Sequence, residues 1–457
     1  MEKSGKIDMN NINEVRNSLE TKSLKVCVVG IGRIGLPTAL SFAKAGLKTI
    51  GVDINEKLVD SINAGSFPLK DEPGYEDIFK NTRKNGNFTA TTNINEAISK
   101  SNLILLSLPT PMDENNIPDY TALESVGKHL AQTLQSNSLI VVESTIEPGF
   151  IENTLIKIIE GANRLIVGKD FTIGVCPENA NPGEILHDFT SLPRLVGGVD
   201  EQTTKIISLI YDFVFSVELV MMPNCKTANA VKLTTNVFRD VNIAFVNELS
   251  LMFEKLGIDT MKVLDAAKRK YNFQIHYPGA GVGGPCLPIN SYQFLNTAKR
   301  MDSELNIVKH ARKINEKMPD HVIDLTLDAF KECNKSIKDC TILILGVSYK
   351  PDVKDLQLSP AEIIINKLNV LGAKIKIYDP YYKTIEVFGI NVESNIDDVL
   401  SKVDAAIIVT AHKEFQKINL KMFAKMKTPI LIDARGIIDF TSTNSSGLVF
   451  RGLGRIV

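Results

Sequence analysis

LKVCVVGIGRIGLPTALSFAKAG, residues 24–46, followed at once by KTIGVD, residues 48–53, decides the fold of this chain. LKVCVVG (24–30) is a short apolar run rich in valine, the composition of a strand buried on both faces. RIGLPTALSFAKAG (33–46) reads as a helix and KTIGVD as a second strand, so the unit is strand, helix, parallel strand. The turn between them, GIGRIG (30–35), matches G-x-G-x-x-G, and Asp53 stands at the end of the next strand. Each glycine has its own physical role. Gly30 permits the tight turn, Gly32 lets a pyrophosphate approach the backbone, and Gly35 allows close helix–strand packing. Backbone N–H groups near Arg33 and Ile34 then face phosphates at the helix N-terminus. Asp53 accepts hydrogen bonds from both ribose hydroxyls and repels a 2′-phosphate, which favours NAD over NADP.

Working outward, the same alternation continues through NLILLSLP (102–109), SLIVVEST (138–145) and FTIGVCPE (171–178), with helical text between most of them. It stops near residue 223. TANAVKLTTNVFRDVNIAFVNELSLMFEKLG (227–257) then predicts a helix of about eight turns, longer than the usual globular helix and suited to a dimer interface. Alternation resumes at TILILGV (341–347), SPAEIIINKLNVLGA (359–373), KIKIYDP (374–380), DAAIIVT (404–410) and PILIDARG (429–436). The expected architecture is α/β: two Rossmann-like, doubly wound domains joined by a central all-helical domain. The expected divisions are a polar leader 1–23, a dinucleotide-binding domain 24–222, a central helical domain 223–330 and a second Rossmann-like domain 331–457. In the second of these Rossmann-like domains, the turn GVSYKPD (346–352) lacks the three spaced glycines, so no second dinucleotide is expected there; Lys350 is placed to hold another phosphate.

At 457 residues the chain is too long for one core. A formal net charge of −1 gives no basic excess for a phosphate backbone, which excludes a nucleic-acid partner. No apolar run reaches the length of a membrane span, and the first residues lack the apolar core of a signal peptide. The six cysteines (27, 176, 225, 286, 333 and 340) have neither CxxC nor metal-ligand spacing, so no metal is expected and reduced thiols in the cytoplasm fit them best.

One of those thiols stands apart. Cys286 lies in GAGVGGPCLPIN (279–290), where four glycines let backbone N–H groups approach a substrate and Pro285 and Pro288 restrain the loop. A thiolate adds to an aldehyde to give a thiohemiacetal, which on oxidation becomes a thioester that water opens to an acid. The bland alternative is a small buried hydrophobe, which is accepted for Cys27, Cys333 and Cys340. On the long helix, Lys232 and Asn236 are four apart and Arg239 follows three later, so all three share a face. A cation and an amide there can hold an oxyanion, unless the stripe is merely solvated.

GIGRIGLP, LPTP (108–111), EST (143–145), CPE (176–178), KLTTNVFRDVNIAFVNEL, GVGGPCLP, YKPD and DARG occur in an order that resembles the nucleotide-sugar dehydrogenase family, over about residues 24–450. The FRDVNIAFVNEL wording is most similar to the UDP-N-acetyl-D-mannosamine branch. The resemblance implies two successive oxidations of a sugar C6 alcohol to a carboxylate, with NAD as cofactor and a UDP-sugar as substrate. By motif position it makes Cys286 the nucleophile and gives Lys232 and Asn236 the oxyanion role. Glu178 and Thr145 match the residues that manage water and proton transfer, and Thr110 and Thr145 lie on the nicotinamide side. Arg239 and Gly283 match sugar-nucleotide contacts, Lys350 and Arg435 uridine-diphosphate contacts. The resemblance also implies a homodimer built through the central helices.

The chain departs from the family pattern at four places. Asn290 stands where an aspartate usually follows the nucleophile, Pro285 replaces a histidine or aromatic, Gln357 stands in place of a cation, and Asn272 replaces an arginine, with Arg269 nearby. UDP-glucose, UDP-N-acetylglucosamine and GDP-mannose therefore remain alternative substrates, and so does a catalytically impaired, nucleotide-sugar-binding relative.

Overall fold

Valine-rich text buried on both faces becomes the centre of a parallel sheet. In the computed structural model, which describes residues 7–162, 165–439 and 447–455, the run from Leu24 forms β1 (Lys25–Val29) and the KTIGVD run forms β2 (Lys48–Val52). The helix Gly35–Lys44 between them buries nearly every residue against the sheet. Then come β3 (Phe88–Thr91), β4 (Leu103–Leu106), β5 (Ser138–Val142), β6 (Phe171–Val175), β7 (Arg194–Gly198) and β8 (Leu219–Met221). Their order in the sheet is β3-β2-β1-β4-β5-β6-β7-β8. All pairs are parallel except β6 with β7, joined antiparallel at Gly174 and Gly198. The direction of the sheet's growth reverses between β1 and β4, the place where doubly wound folds bind ligands at the strands' carboxyl ends.

The segment expected as a polar leader is folded rather than separate. Asn11 caps a helix Ile12–Glu20 by accepting from the amides of Asn13 and Glu14, and Val15 and Leu19 are buried in the core beside Met9. Residues 1–6 of that leader lie outside the described residues, as do 440–446 and 456–457 of the expected last domain.

The predicted long helix runs from Cys225 to Leu256. The chain divides into two compact units, Met1–Thr235 and Asn236–Val457, and the division falls within this helix. The second unit holds the helices Thr260–Ala267, Leu287–Arg300 and Asn306–Glu332, the last of which crosses the boundary expected at residue 330. Val322, Ala329 and Phe330 of that helix join one core with Ile342, Ile344 and Ile364. The second sheet contains β9 (Thr341–Leu345), β10 (Lys374–Tyr378), β13 (Ala405–Ile408), β14 (Ile430–Asp433) and β15 (Val449–Gly452), in the order β10-β9-β13-β14-β15 and parallel throughout. A small antiparallel hairpin, β11 (Glu386–Val387) with β12 (Ile390–Asn391), is inserted after β10. Both sheets are thus of the expected α/β, doubly wound type.

Candidate functional site

The glycine-rich turn in the first unit is built as its spacing requires. Gly30 has φ +86°, and a Cβ there would stand 2.4 Å from the carbonyl oxygen of Ser107, at the end of β4. A Cβ on Gly35 would stand 1.8 Å from the carbonyl oxygen of Gly30. These two glycines are demanded by the protein itself. Gly32 is different: it is exposed and a Cβ there would meet nothing within 4 Å, so its smallness serves space outside the fold. The helix opens at Ile34 with no side chain capping it. Asp53 accepts from the amides of Ile31 (3.2 Å) and Asn55 (3.0 Å), which holds its carboxylate beside the turn. The Arg33 side chain turns to Asp71 (2.8 Å) and to buried Glu72 (3.1 Å). Open space over Gly32, an uncapped helix start and a half-buried aspartate fit a dinucleotide.

The ends of β4 and β5 are tied together beside that turn. The Thr110 hydroxyl donates to the carbonyl of Thr145 (2.9 Å), and the Leu108 amide donates to the Ser144 hydroxyl (2.8 Å). Glu143 points the other way, into the core, where Tyr211 (2.7 Å) and Thr38 (3.2 Å) donate to it. Burial pushes the Glu143 carboxyl up to about 7, against the pull of the Arg194 guanidinium. Glu178 follows β6; one oxygen accepts from the amides of Asn179 (2.6 Å) and Ala180 (2.8 Å). Its other oxygen lies 2.8 Å from Arg194 in an ion pair without hydrogen-bond alignment. Lys232 is buried and its ammonium donates to the Asn179 side chain (2.9 Å), so Glu178, Asn179 and Lys232 form one cluster.

In the second unit Cys286 is exposed at the N-cap of the helix Leu287–Arg300. The loop before it is pressed against the segment that follows β9. A Cβ on Gly283 would stand 2.2 Å from the Leu358 carbonyl oxygen, and one on Gly284 (φ +86°) 2.5 Å from the Tyr349 ring. The Gly284 amide donates to the Gln357 carbonyl (2.9 Å), so Gln357 here contributes its backbone to the thiol loop. The Asn236 amide donates to Asn290 (2.5 Å), and Asn290 donates to Gln293 (3.1 Å). Asn236 keeps a second N–H, since a primary amide carries two. Arg239 is exposed while Lys232 and Asn236 are buried, so the expected stripe is not uniform along its length.

Lys350 is exposed on the loop after β9, and Arg435 follows β14. A Cβ on Gly279 would stand 2.3 Å from the Arg435 guanidinium, whose Nε is buried with no hydrogen-bond partner. An orphaned cationic donor fits an anionic ligand. Burial pulls the Arg435 guanidinium below its ordinary value, partly offset by Asp433. The Asp352 amide donates to Nδ1 of buried His412 (2.9 Å), whose Nε2–H donates to Asp379 (3.1 Å). Asp379 also accepts from the Val347 amide (2.8 Å), as Asp53 does from Ile31 in the first sheet. Here the imidazole occupies the carboxylate, in keeping with the expectation of no second dinucleotide.

The first unit therefore gathers Gly30, Gly32, Arg33, Ile34, Gly35, Asp53, Thr110, Thr145, Glu178 and Lys232; the second carries Asn236, Arg239, Gly283, Cys286, Lys350 and Arg435. Arg194, Glu143 and His412 were not foreseen. Arg194 had one usable signal, a lone charge opening the otherwise apolar run RLVGG.

Comparison with known proteins agrees with this geometry. Residues 24–214 match the NAD binding domain of the UDP-glucose/GDP-mannose dehydrogenase family, 226–317 its central domain and 343–440 its UDP binding domain. The chain is 32% identical over 433 residues to the UDP-N-acetyl-D-mannosamine dehydrogenase of Pyrococcus horikoshii, covering 94% of this chain and 99% of that protein. It is 33% identical to the enzyme of the same name from Campylobacter jejuni, covering 86% and 96%. The solved structure of the Pyrococcus horikoshii UDP-D-ManNAc dehydrogenase superposes with a TM-score of 0.87 at 31% identity, over 94% of this chain and 99% of that one. With a glycine turn open over Gly32, an orphaned cation at Arg435 and these matches along its length, the chain belongs to the UDP-glucose/GDP-mannose dehydrogenase family, whose members are NAD-dependent.

Proposed function

We propose that the protein oxidises the C6 hydroxyl of UDP-N-acetyl-D-mannosamine to the carboxylate of UDP-N-acetyl-D-mannosaminuronate, by way of a thiohemiacetal and a thioester on Cys286. NAD, held at the turn of Gly30, Gly32, Arg33, Ile34 and Gly35 with Asp53 at its ribose, supplies the electron acceptor for each of the two oxidations. Thr110 and Thr145 flank its nicotinamide side. The Cys286 sulfur adds to the C6 aldehyde carbon, and Lys232 and Asn236 stabilise the oxyanion that forms. Glu178 and Thr145 manage the proton and the water that opens the thioester. Arg239 and Gly283 contact the sugar nucleotide, and Lys350 and Arg435 hold the uridine diphosphate. The reading is carried by one observation: the exposed sulfur of Cys286 stands at the end of a glycine loop pressed against Tyr349 and Leu358. The test is NADH production from a panel of UDP- and GDP-sugars, where fastest turnover of any sugar other than UDP-N-acetyl-D-mannosamine rejects the substrate.

A second reading rests on Asn290, whose amide is engaged by Asn236 and Gln293. An amide cannot take up a proton as a carboxylate can, so this chain would stop at the aldehyde or hold the thioester. NADH formed per sugar separates the two: near two supports the full oxidation, near one the truncated form.

The protein is further proposed to work as a cytoplasmic homodimer, with NAD bound by residues 24–222, a helical middle 223–330 and the UDP-sugar bound by 331–457. Phe238, Phe245 and Met252, spaced by seven on the long helix, are 47%, 49% and 46% exposed. A stripe of that kind favours burial against a second copy. No helix among the described residues is long and apolar enough to cross a membrane.

A further inference from the structure

We propose that Asp240, Asn247 and Asn315 form a buried positioning cluster that fixes both ends of the loop carrying Cys286, and that the oxidation of the aldehyde depends on it more than the oxidation of the alcohol does. The proposal rests on the reading of Cys286 given above.

The cluster is continuous. The Gly279 amide, where the loop begins, donates to the Asn247 side chain (2.9 Å). Asn247 donates to the Asn315 carbonyl oxygen (2.9 Å), and Asn315 donates to the Asp240 carboxylate (2.8 Å) and backbone carbonyl (3.0 Å). The other Asp240 oxygen accepts from the Ser291 hydroxyl (2.8 Å), on the helix that starts at Cys286. Arg312 pairs with Asp240 at 2.9 Å, with side chains 5% and 0% exposed. Both ends of the segment 279–291 are thus tied to two turns of one helix through groups sealed from water.

Two physical arguments say what the cluster is for. A buried ion pair with satisfied amides around it is weak evidence of added stability, because desolvation offsets the attraction; its better-attested effect is to select one arrangement. The segment it brackets is rich in glycine, which loses the most conformational freedom on ordering and therefore needs external anchors. What the anchors aim is the sulfur. Converting the C6 alcohol to the aldehyde makes no bond to sulfur. In the next step the thiol adds across the aldehyde C=O, and loss of two electrons and a proton leaves the thioester. Water then cleaves the C–S bond, returning the thiol and releasing the acid. Misplacing the loop impairs only the steps that use sulfur, whereas general loosening slows both oxidations alike.

The experiment compares the full-length chain with Asn247→Ala and Ser291→Ala, which cut the cluster at opposite ends of the loop. Two quantities are read: deuterium uptake over residues 279–291 without ligands, and NADH formed per UDP-N-acetyl-D-mannosamine with semicarbazide present to trap aldehyde. Uptake over the loop is expected to rise about tenfold in each variant, with the uptake of β1, β2 and β4 unchanged, since opening there reports local stability. NADH per sugar is expected to fall from near two towards one, with trapped aldehyde making up the difference. Unchanged uptake with the ratio still near two overturns the proposal, and so does raised uptake with both oxidations slowed equally. Should Asn247→Ala fail to fold, Ser291→Ala decides by the same readings, because loss of one hydroxyl leaves the Asp240–Arg312 pair in place. Cys286→Ser is the control: if it still yields two NADH per sugar, the thiol reading fails by itself, while the anchoring is judged by the uptake.

Discussion

Glu178 Oε2 lies 2.8 Å from Nη1 of Arg194, and the two side chains are only 11% and 4% exposed. The guanidinium is stacked between rings, its centre 4.4 Å from the Phe189 centroid and 4.0 Å from that of Phe215. Burial alone pulls Arg194 down, but Glu178, Cys176 and Glu143 carry it above the ordinary guanidinium value, so it stays charged. A carboxylate proposed to manage water in the reaction is thereby oriented from behind by a fixed cation.

Removing either partner leaves the other charge buried. Arg194→Met is expected to lower unfolding free energy by about 3–5 kcal/mol, read by urea denaturation. Glu178→Gln strands Arg194 in the same way, so the double variant is expected to lose much less than the sum. Additive losses would show that the pair is not coupled.

Glu143 ties stability to pH. Its ordinary value is 4.5 and burial raises it to about 7, so between those values the folded chain binds more protons than the unfolded one. Its contribution is fully present below the ordinary value and is lost as pH rises through about 7. Glu143→Gln keeps the shape and removes the titration. The wild-type stability profile from pH 4.5 to 7 is expected to fall more steeply than that of the variant, by up to about 1.4 kcal/mol per pH unit. Parallel profiles in urea titrations across that range would reject the assignment.

The glycine turn separates fold from function at single-atom scale. Gly35→Ala places a methyl 1.8 Å from the Gly30 carbonyl oxygen and is expected to destabilise the chain by about 3 kcal/mol or more. Gly32→Ala meets no protein atom and is expected to leave stability within about 0.5 kcal/mol. It should nonetheless weaken NAD binding, because its methyl enters the space where the pyrophosphate is proposed to lie. Thermal melts and calorimetric titration with NAD distinguish the two.

Two substitutions test the chemistry. Cys286→Ser is expected to abolish acid formation, followed by mass spectrometry of the sugar nucleotide, while NAD binding persists. Lys232→Ala is expected to cost about 3 kcal/mol of transition-state stabilisation, roughly a hundredfold in turnover. A near-native rate would remove Lys232 from the oxyanion role.

Much of the fold is legible in the sequence. The valine- and isoleucine-rich runs became β1, β2, β4, β5, β6 and the strands of the second sheet, because parallel strands buried on both faces are written as continuous apolar text. The helix read as 227–257 spans Cys225–Leu256. The strands not foreseen, β3, β7 and β8, are short, and FTAT, RLVGG and LVM carry too little pattern to stand out. The leader's helix was hidden by its polar majority, although Val15 and Leu19 have helical spacing.

Sequence by itself determined the doubly wound architecture, the open glycine turn and the thiol in its loop, since each depends on residues a few positions apart. Only the tertiary structure decided which polar groups would be shut in together. Glu143 meets Tyr211 across 68 residues and Asp240 meets Arg312 across 72. Spacing in the chain does not specify such partners; they are chosen by burial, because a polar group removed from water must find its complement wherever the fold brings one within reach.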